Sequence, residues 1–118
     1  YEIFDQIYAW GEFRFGTASI NAGSGIYTMS LPFAAKSNVG INGSVFGGSP
    51  TVGTGQIWDD SASTARFPLT VHLRSSTSVV FGIRMGSGVG AREVTNAGPT
   101  TWAINDGITW SARFQRLP

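Results

Sequence analysis

Cysteine is absent from the 118 residues. That excludes disulfides, thiolate nucleophiles and cysteine-ligated zinc, so stability must come from core packing or self-association. Charge is scarce as well. Asp, Glu, Lys and Arg make up 13% of the chain, about half the usual share. Disorder ordinarily needs the opposite balance, and an ordered domain is expected. A sparsely charged surface leaves room for apolar patches, which tend to become interfaces. His72 is the one histidine. Triad chemistry would have to run through it, and no nucleophile-elbow pattern supplies a serine. It stands on the polar face of an alternating segment and reads as a surface or interface imidazole. Long apolar runs are missing too. None approaches the ~20 residues of a membrane-spanning helix, so no membrane insertion is expected. No signal peptide is visible. Tyr1 opens what reads as the middle of a strand, which implies a piece of a longer chain or a processed product.

Helical periodicity is the last absence: no window of eleven residues repeats every 3.6 positions. The basic residues form no stripe either. Arg14, Lys36, Arg66, Arg74, Arg84, Arg92, Arg113 and Arg116 are scattered, and the net charge is +1. Nucleic acid is therefore not an expected partner. The dominance of Arg over Lys hints at interface use.

What is present is apolar and glycine-rich: 42% hydrophobic residues, 16 glycines, four tryptophans, three tyrosines and eight phenylalanines. A chain of this length forms one domain, residues 1–118, and buries about two-thirds of its unfolded surface. The stretch Pro99–Arg116 sets the pattern. It reads as strand, turn at Asn105-Asp106-Gly107, strand. Ile108, Trp110, Ala112 and Phe114 point one way; Thr109, Ser111, Arg113 and Gln115 point the other. Phe67, Leu69, Val71 and Leu73 alternate likewise, as do Val79, Phe81, Ile83 and Met85. Further strands are expected at Tyr1–Trp10, with Ile3, Ile7 and Ala9 on one face, and at Glu12–Ile20, after a bulge or bend at Gly11. Ile26–Phe33, Val39–Phe46, Thr51–Trp58 and the short Arg92–Thr95 complete the set. Pro32 ends its strand or places it at an edge. Asp59–Thr64 reads as a polar loop. Eight to ten short strands between Gly/Ser/Asn/Pro turns predict an all-β, antiparallel β-sandwich or barrel, of which the jelly roll is the commonest eight-stranded form.

Few segments carry chemical signals. Gly86-Ser87-Gly88-Val89-Gly90-Ala91 has the letters of a dinucleotide fingerprint, but the mechanism needs a helix directly after it. Arg92 to Pro99 offers none, so no cofactor is expected. Trp58-Asp59-Asp60 holds the one local carboxylate pair. It reads as a solvated turn, or, joined by Asp106 or Glu93, as a calcium site or glycosidase pair. A Trp beside Asp also suits sugar contact, by stacking and hydrogen bonding. Trp58, Asp59 and Asp60 are thus the candidate receptor or glycan contacts; no catalytic residue and no metal ligand is assigned. Trp110 reads as core, and Trp10 and Trp102, near strand ends, as core or contact. Asn42-Gly43-Ser44 matches a glycosylation sequon, with chance as the simpler account.

Three segments together carry a family resemblance: Gly16-Thr17 leading to Gly23-Ser24-Gly25-Ile26-Tyr27; Ser30-Leu31-Pro32-Phe33-Ala34-Ala35; and Pro99-Thr100-Thr101-Trp102-Ala103 with Asn105-Asp106-Gly107-Ile108. In this order they resemble the C-terminal β-rich domains of minor tail proteins and tail fibres of tailed bacteriophages, especially of actinobacterial hosts. The likeness runs from Trp10 to Phe114. It departs at Phe114-Gln115, where the family often has an aromatic-acid pair. It implies a jelly roll of the tumour-necrosis-factor and complement-head type, a homotrimer on the exterior of the virion. Such a domain would contact other virion proteins and a host-surface glycan or protein receptor, without catalysis. A monomeric lectin-like carbohydrate-binding module and a small glycan hydrolase are the competing expectations.

Overall fold

The computed structural model describes residues 6–16, 18, 21–35, 51–60, 65–84, 91–96, 98–99 and 101–116. Among them are seven strands and no helix: β1 (Gln6–Arg14), β2 (Thr28–Ser30), β3 (Thr51–Asp59), β4 (Ala65–Ser75), β5 (Ser78–Arg84), β6 (Ala91–Glu93) and β7 (Gly107–Gln115). They form one antiparallel sheet in the order β1-β7-β3-β4-β5-β2, and β6 shares the outer edge of β5 with β2. Along that edge Thr28 pairs with Val80 and Glu93 with Gly82. The two short strands are zipped where they meet: Tyr27 N–H donates to Val94 O at 2.9 Å and Asn96 N–H to Gly25 O at 3.0 Å.

The sheet curls. Trp110 on β7 and Phe81 on β5 are separated in strand order by β3 and β4, yet their ring centroids lie 6.1 Å apart. The Trp110 Nε1–H reaches Met29 Sδ, on β2, at 3.1 Å. The inner face collects the expected alternating residues. Ile108, Trp110, Ala112 and Phe114 are all buried, as are Leu69, Val71, Leu73, Val79, Phe81 and Ile83; Phe67 is only partly so. Burying a side chain such as Phe81, 1% exposed, contributes about 2–3 kcal/mol. A two-residue turn, Ser76-Thr77, joins β4 to β5 and is braced by Ser75 Oγ against Ser78 Oγ at 2.8 Å. Met85, the Val39–Phe46 segment, the Asn42 sequon and Gly86–Gly90 lie outside the described residues. Directly after those glycines, Ala91–Glu93 is strand β6, so the helix that a dinucleotide fingerprint needs is not there.

Four local expectations are corrected. First, the stretch before β7 is not a hairpin arm: residues 101–103 carry no strand. β7 pairs with β1 on one side and β3 on the other, and a strand has only two edges. Trp102 instead turns into the core against Phe15 and Tyr27, each 5.6 Å away, and its Nε1–H donates to Thr95 O. Second, Gly11 is no bulge. The β1–β7 register runs through it unbroken, and a Cβ there would meet Trp110 Nε1 at 2.7 Å, so the glycine makes room for an indole. Third, Asp59 is not in a polar loop; it ends β3 and is 3% exposed. Fourth, the strand expected over Ile26–Phe33 is confined to Thr28–Ser30, and Phe33 lies beyond it. It is 45% exposed, with the Arg116 guanidinium 4.7 Å above its ring.

Candidate functional site

The segment Trp58-Asp59-Asp60 leaves β3 beside the loop that enters β7, and one buried carboxylate joins them. Asp106 is fully buried. Its Oδ1 accepts from Asp60 N–H at 2.8 Å and its Oδ2 from Ala103 N–H at 2.7 Å. Its backbone N–H donates to Ala103 O at 3.2 Å and its carbonyl accepts from Phe15 N–H at 2.9 Å. The first of these backbone bonds closes a turn over Ala103–Asp106. Asn105 takes a positive φ of 68°, the conformation that the third turn position demands and that Asn tolerates. The turn therefore falls one or two residues earlier than the Asp-Gly pair suggests.

The ring of Trp58 is engaged on its surroundings. Its Nε1–H donates to Asn105 O at 2.9 Å. Gly107 lies beneath it, since a Cβ there would meet Trp58 Cζ2 at 2.6 Å. The Arg14 guanidinium stands 5.8 Å from the ring centroid. Arg14 and Arg66 each approach a different oxygen of Asp60, at 3.9 Å. Pairs this exposed contribute about 0–1 kcal/mol. Of the suggested companions, Asp106 joins the three residues, and its carboxylate is spent on backbone N–H groups. Among the described residues no three or more His, Asp or Glu side chains converge as metal ligands do. The sheet-end cluster is thus a hydrogen-bonded knot that ties β1, β3 and β7 together. His72 Nε2 lies 2.7 Å from Thr70 Oγ1 on the same strand face.

Away from this knot, the outer face of β1 presents two exposed aromatics. Tyr8 and Trp10 are 57% and 74% exposed. They are two residues apart on one strand face, with ring centroids 5.8 Å apart and planes tilted by 43°. Arg113, the partner of Tyr8 across β7, sets its guanidinium 5.8 Å from the Tyr8 ring. Next to Trp10, a shallow depression of about 400 Å³ is lined by Thr54, Gln56, Thr109 and Ser111 with backbone of β3 and β7. The signal for this patch was in the parity of β1: Ile7 and Ala9 facing inward leave Tyr8 and Trp10 facing out.

Comparisons with protein-family models, curated proteins and solved structures find no match.

A second hollow lies on the inner side, about 350 Å³, between Phe13 and Phe15 of the first strand's end and Ile26, Tyr27 and Met29. Phe13 and Phe15 meet edge to face at 5.0 Å, and Phe13 and Ile26 are 41% and 39% exposed at its rim. Tyr27 donates its hydroxyl to Ala22 O at 2.6 Å. Burial pushes its phenol above the ordinary value, because the phenolate would lose solvation there.

Proposed function

We propose that this domain is an adhesive structural module of a bacteriophage virion, displayed on the exterior of the tail or capsid and used to attach to the host surface. In this reading it is a jelly-roll sandwich that assembles as a homotrimer, contacts other virion proteins, and carries out no catalysis. The observation that carries the reading is the exposed Tyr8–Trp10 pair. A Trp ring left 74% open on a strand forgoes most of the burial such a ring can gain, which suits a contact surface. Support also comes from the ordered motif resemblance and from the antiparallel all-β sheet. Three copies around an axis would cover faces that one copy leaves open.

Size-exclusion chromatography with light scattering tests the assembly. A particle of three 12.5 kDa chains is expected, and a clean monomer would count heavily against the trimer. Labelled domain should also adsorb to actinobacterial host cells. A second reading, a monomeric lectin-like module, is favoured by the uncharged hydroxyl- and amide-lined depression beside Trp10; saturable glycan binding by a monomer would select it.

A further inference from the structure

We infer that the outer face of β1, β7 and β3 is a binding platform for a neutral saccharide, with Trp10 as its stacking surface. The inference deepens the attachment reading and rests on it for its biological setting. Three observations converge. The Trp10 ring is 74% exposed and the Tyr8 ring beside it 57%, so each offers an open face. The Arg113 guanidinium over Tyr8 holds that ring from one side. And the register places a row of neutral polar side chains directly beside Trp10.

That row is a product of strand pairing. Trp10 pairs with Ser111, and Ser111 with Thr54. One step along the sheet, Thr109 pairs with Gln56. Neighbouring strands are about 4.8 Å apart, so Trp10 to Thr54 spans about 9–10 Å, the reach of one to two sugar rings. Ser and Thr hydroxyls and the Gln amide each both donate and accept. Sugar hydroxyls do the same, while the axial C–H face of a pyranose is apolar and fits an indole. A depression lined by Thr54, Gln56, Thr109 and Ser111 therefore matches a saccharide better than an apolar chain, which would strand those groups.

Charge sets the class. No charged side chain lines the depression. At its margins Glu12, the partner of Thr109 on β1, and Arg113, turned over the Tyr8 ring, carry opposite charges that offset each other, so the platform as a whole favours a neutral sugar. The surface is shallow, so a single site binds weakly, and display on several copies raises avidity by about 10²–10⁴.

The test uses the whole domain against immobilised neutral oligosaccharides (glucan, galactan, mannan and arabinan fragments) and acidic ones (sialylated and uronic). At least one neutral probe is expected to bind, with affinity falling tenfold or more in Trp10→Ala and several-fold in Thr54→Ala, the mass by light scattering being unchanged. Absence of binding to every neutral probe, binding to acidic probes alone, or binding indifferent to Trp10→Ala would each overturn the inference. So would a Trp10→Ala variant that loses its partner copies instead, because the patch would then be a subunit interface. Host-cell adsorption separates the two levels. If wild type and Trp10→Ala adsorb equally, the saccharide platform falls and attachment stands. If a neutral sugar binds through Trp10 but no bacterial cell is bound, attachment falls and the platform stands.

Discussion

Replacing Asp106 should destabilise the domain. The carboxylate is fully buried and accepts two backbone hydrogen bonds, from Asp60 at 2.8 Å and Ala103 at 2.7 Å. A hydrogen bond to a charged group contributes about 1.5–3 kcal/mol. Both donors are only part-buried, so water can replace some of what is lost. Asp106→Ala is therefore expected to cost about 2–4 kcal/mol, and Asp106→Asn, which keeps one acceptor oxygen, about half that. A chain of this length is stable by about 6–18 kcal/mol, so both variants should remain folded. Urea denaturation is the assay, run at one protein concentration because self-association shifts apparent stability. With a slope of about 1.5 kcal/mol per molar, the Asp106→Ala midpoint should fall by about 1.3–2.7 M. The change should also reach Trp58, whose indole N–H is held by the adjoining Asn105 carbonyl, as a shift of tryptophan emission to longer wavelength. A midpoint within about 0.3 M of wild type would refute the view that this carboxylate clamps three strand ends.

Gly107→Ala puts a methyl group 2.6 Å from Trp58 Cζ2 and 2.7 Å from Phe13 O; a loss of about 1–3 kcal/mol with altered Trp58 emission is expected, and unchanged melting would contradict the packing described. Tyr27 has its folded-state pKa raised by burial. Its contribution is thus fully present below the unfolded value of about 10 and is lost as pH rises through the higher folded value. Ultraviolet titration of tyrosinate should show one late-ionising tyrosine that disappears in Tyr27→Phe; a curve the same in both proteins would speak against it.

Much of the sheet was legible in the sequence, and the reason is parity. The sets Leu69/Val71/Leu73 and Ile108/Trp110/Ala112/Phe114 lie on the inner face because a strand turns alternate side chains the same way. Partner choice was not legible. Nothing local in Pro99–Ile104 says that both edges of β7 are taken by segments from far earlier in the chain, and a turn signal at Asp-Gly invites a hairpin. Asp59 was misread for a related reason, whereas Asp106 was named as a companion of the Trp58-Asp59-Asp60 segment and does join it. Composition marks acids as solvated, and only the meeting of sheet ends shows that one of them satisfies backbone donors. Trp10 is the reverse case. Its outward parity was available, but aromatic residues are packed inside so often that parity alone does not single one out as a contact.

The place of β7 has a consequence for how the polypeptide comes together during synthesis. Of the seven described strands β7 leaves the ribosome last, yet it must slot between β1 and β3. Until it emerges, β3, β4 and β5 can zip up as they appear, but β1 has no partner strand among the described residues. Among the described strands, assembly therefore waits for β7, and a nascent chain stalled before Gly107 would leave the inward Ala9 uncovered and the facing backbone edges of β1 and β3 unpaired, open to chaperones and to other copies of itself.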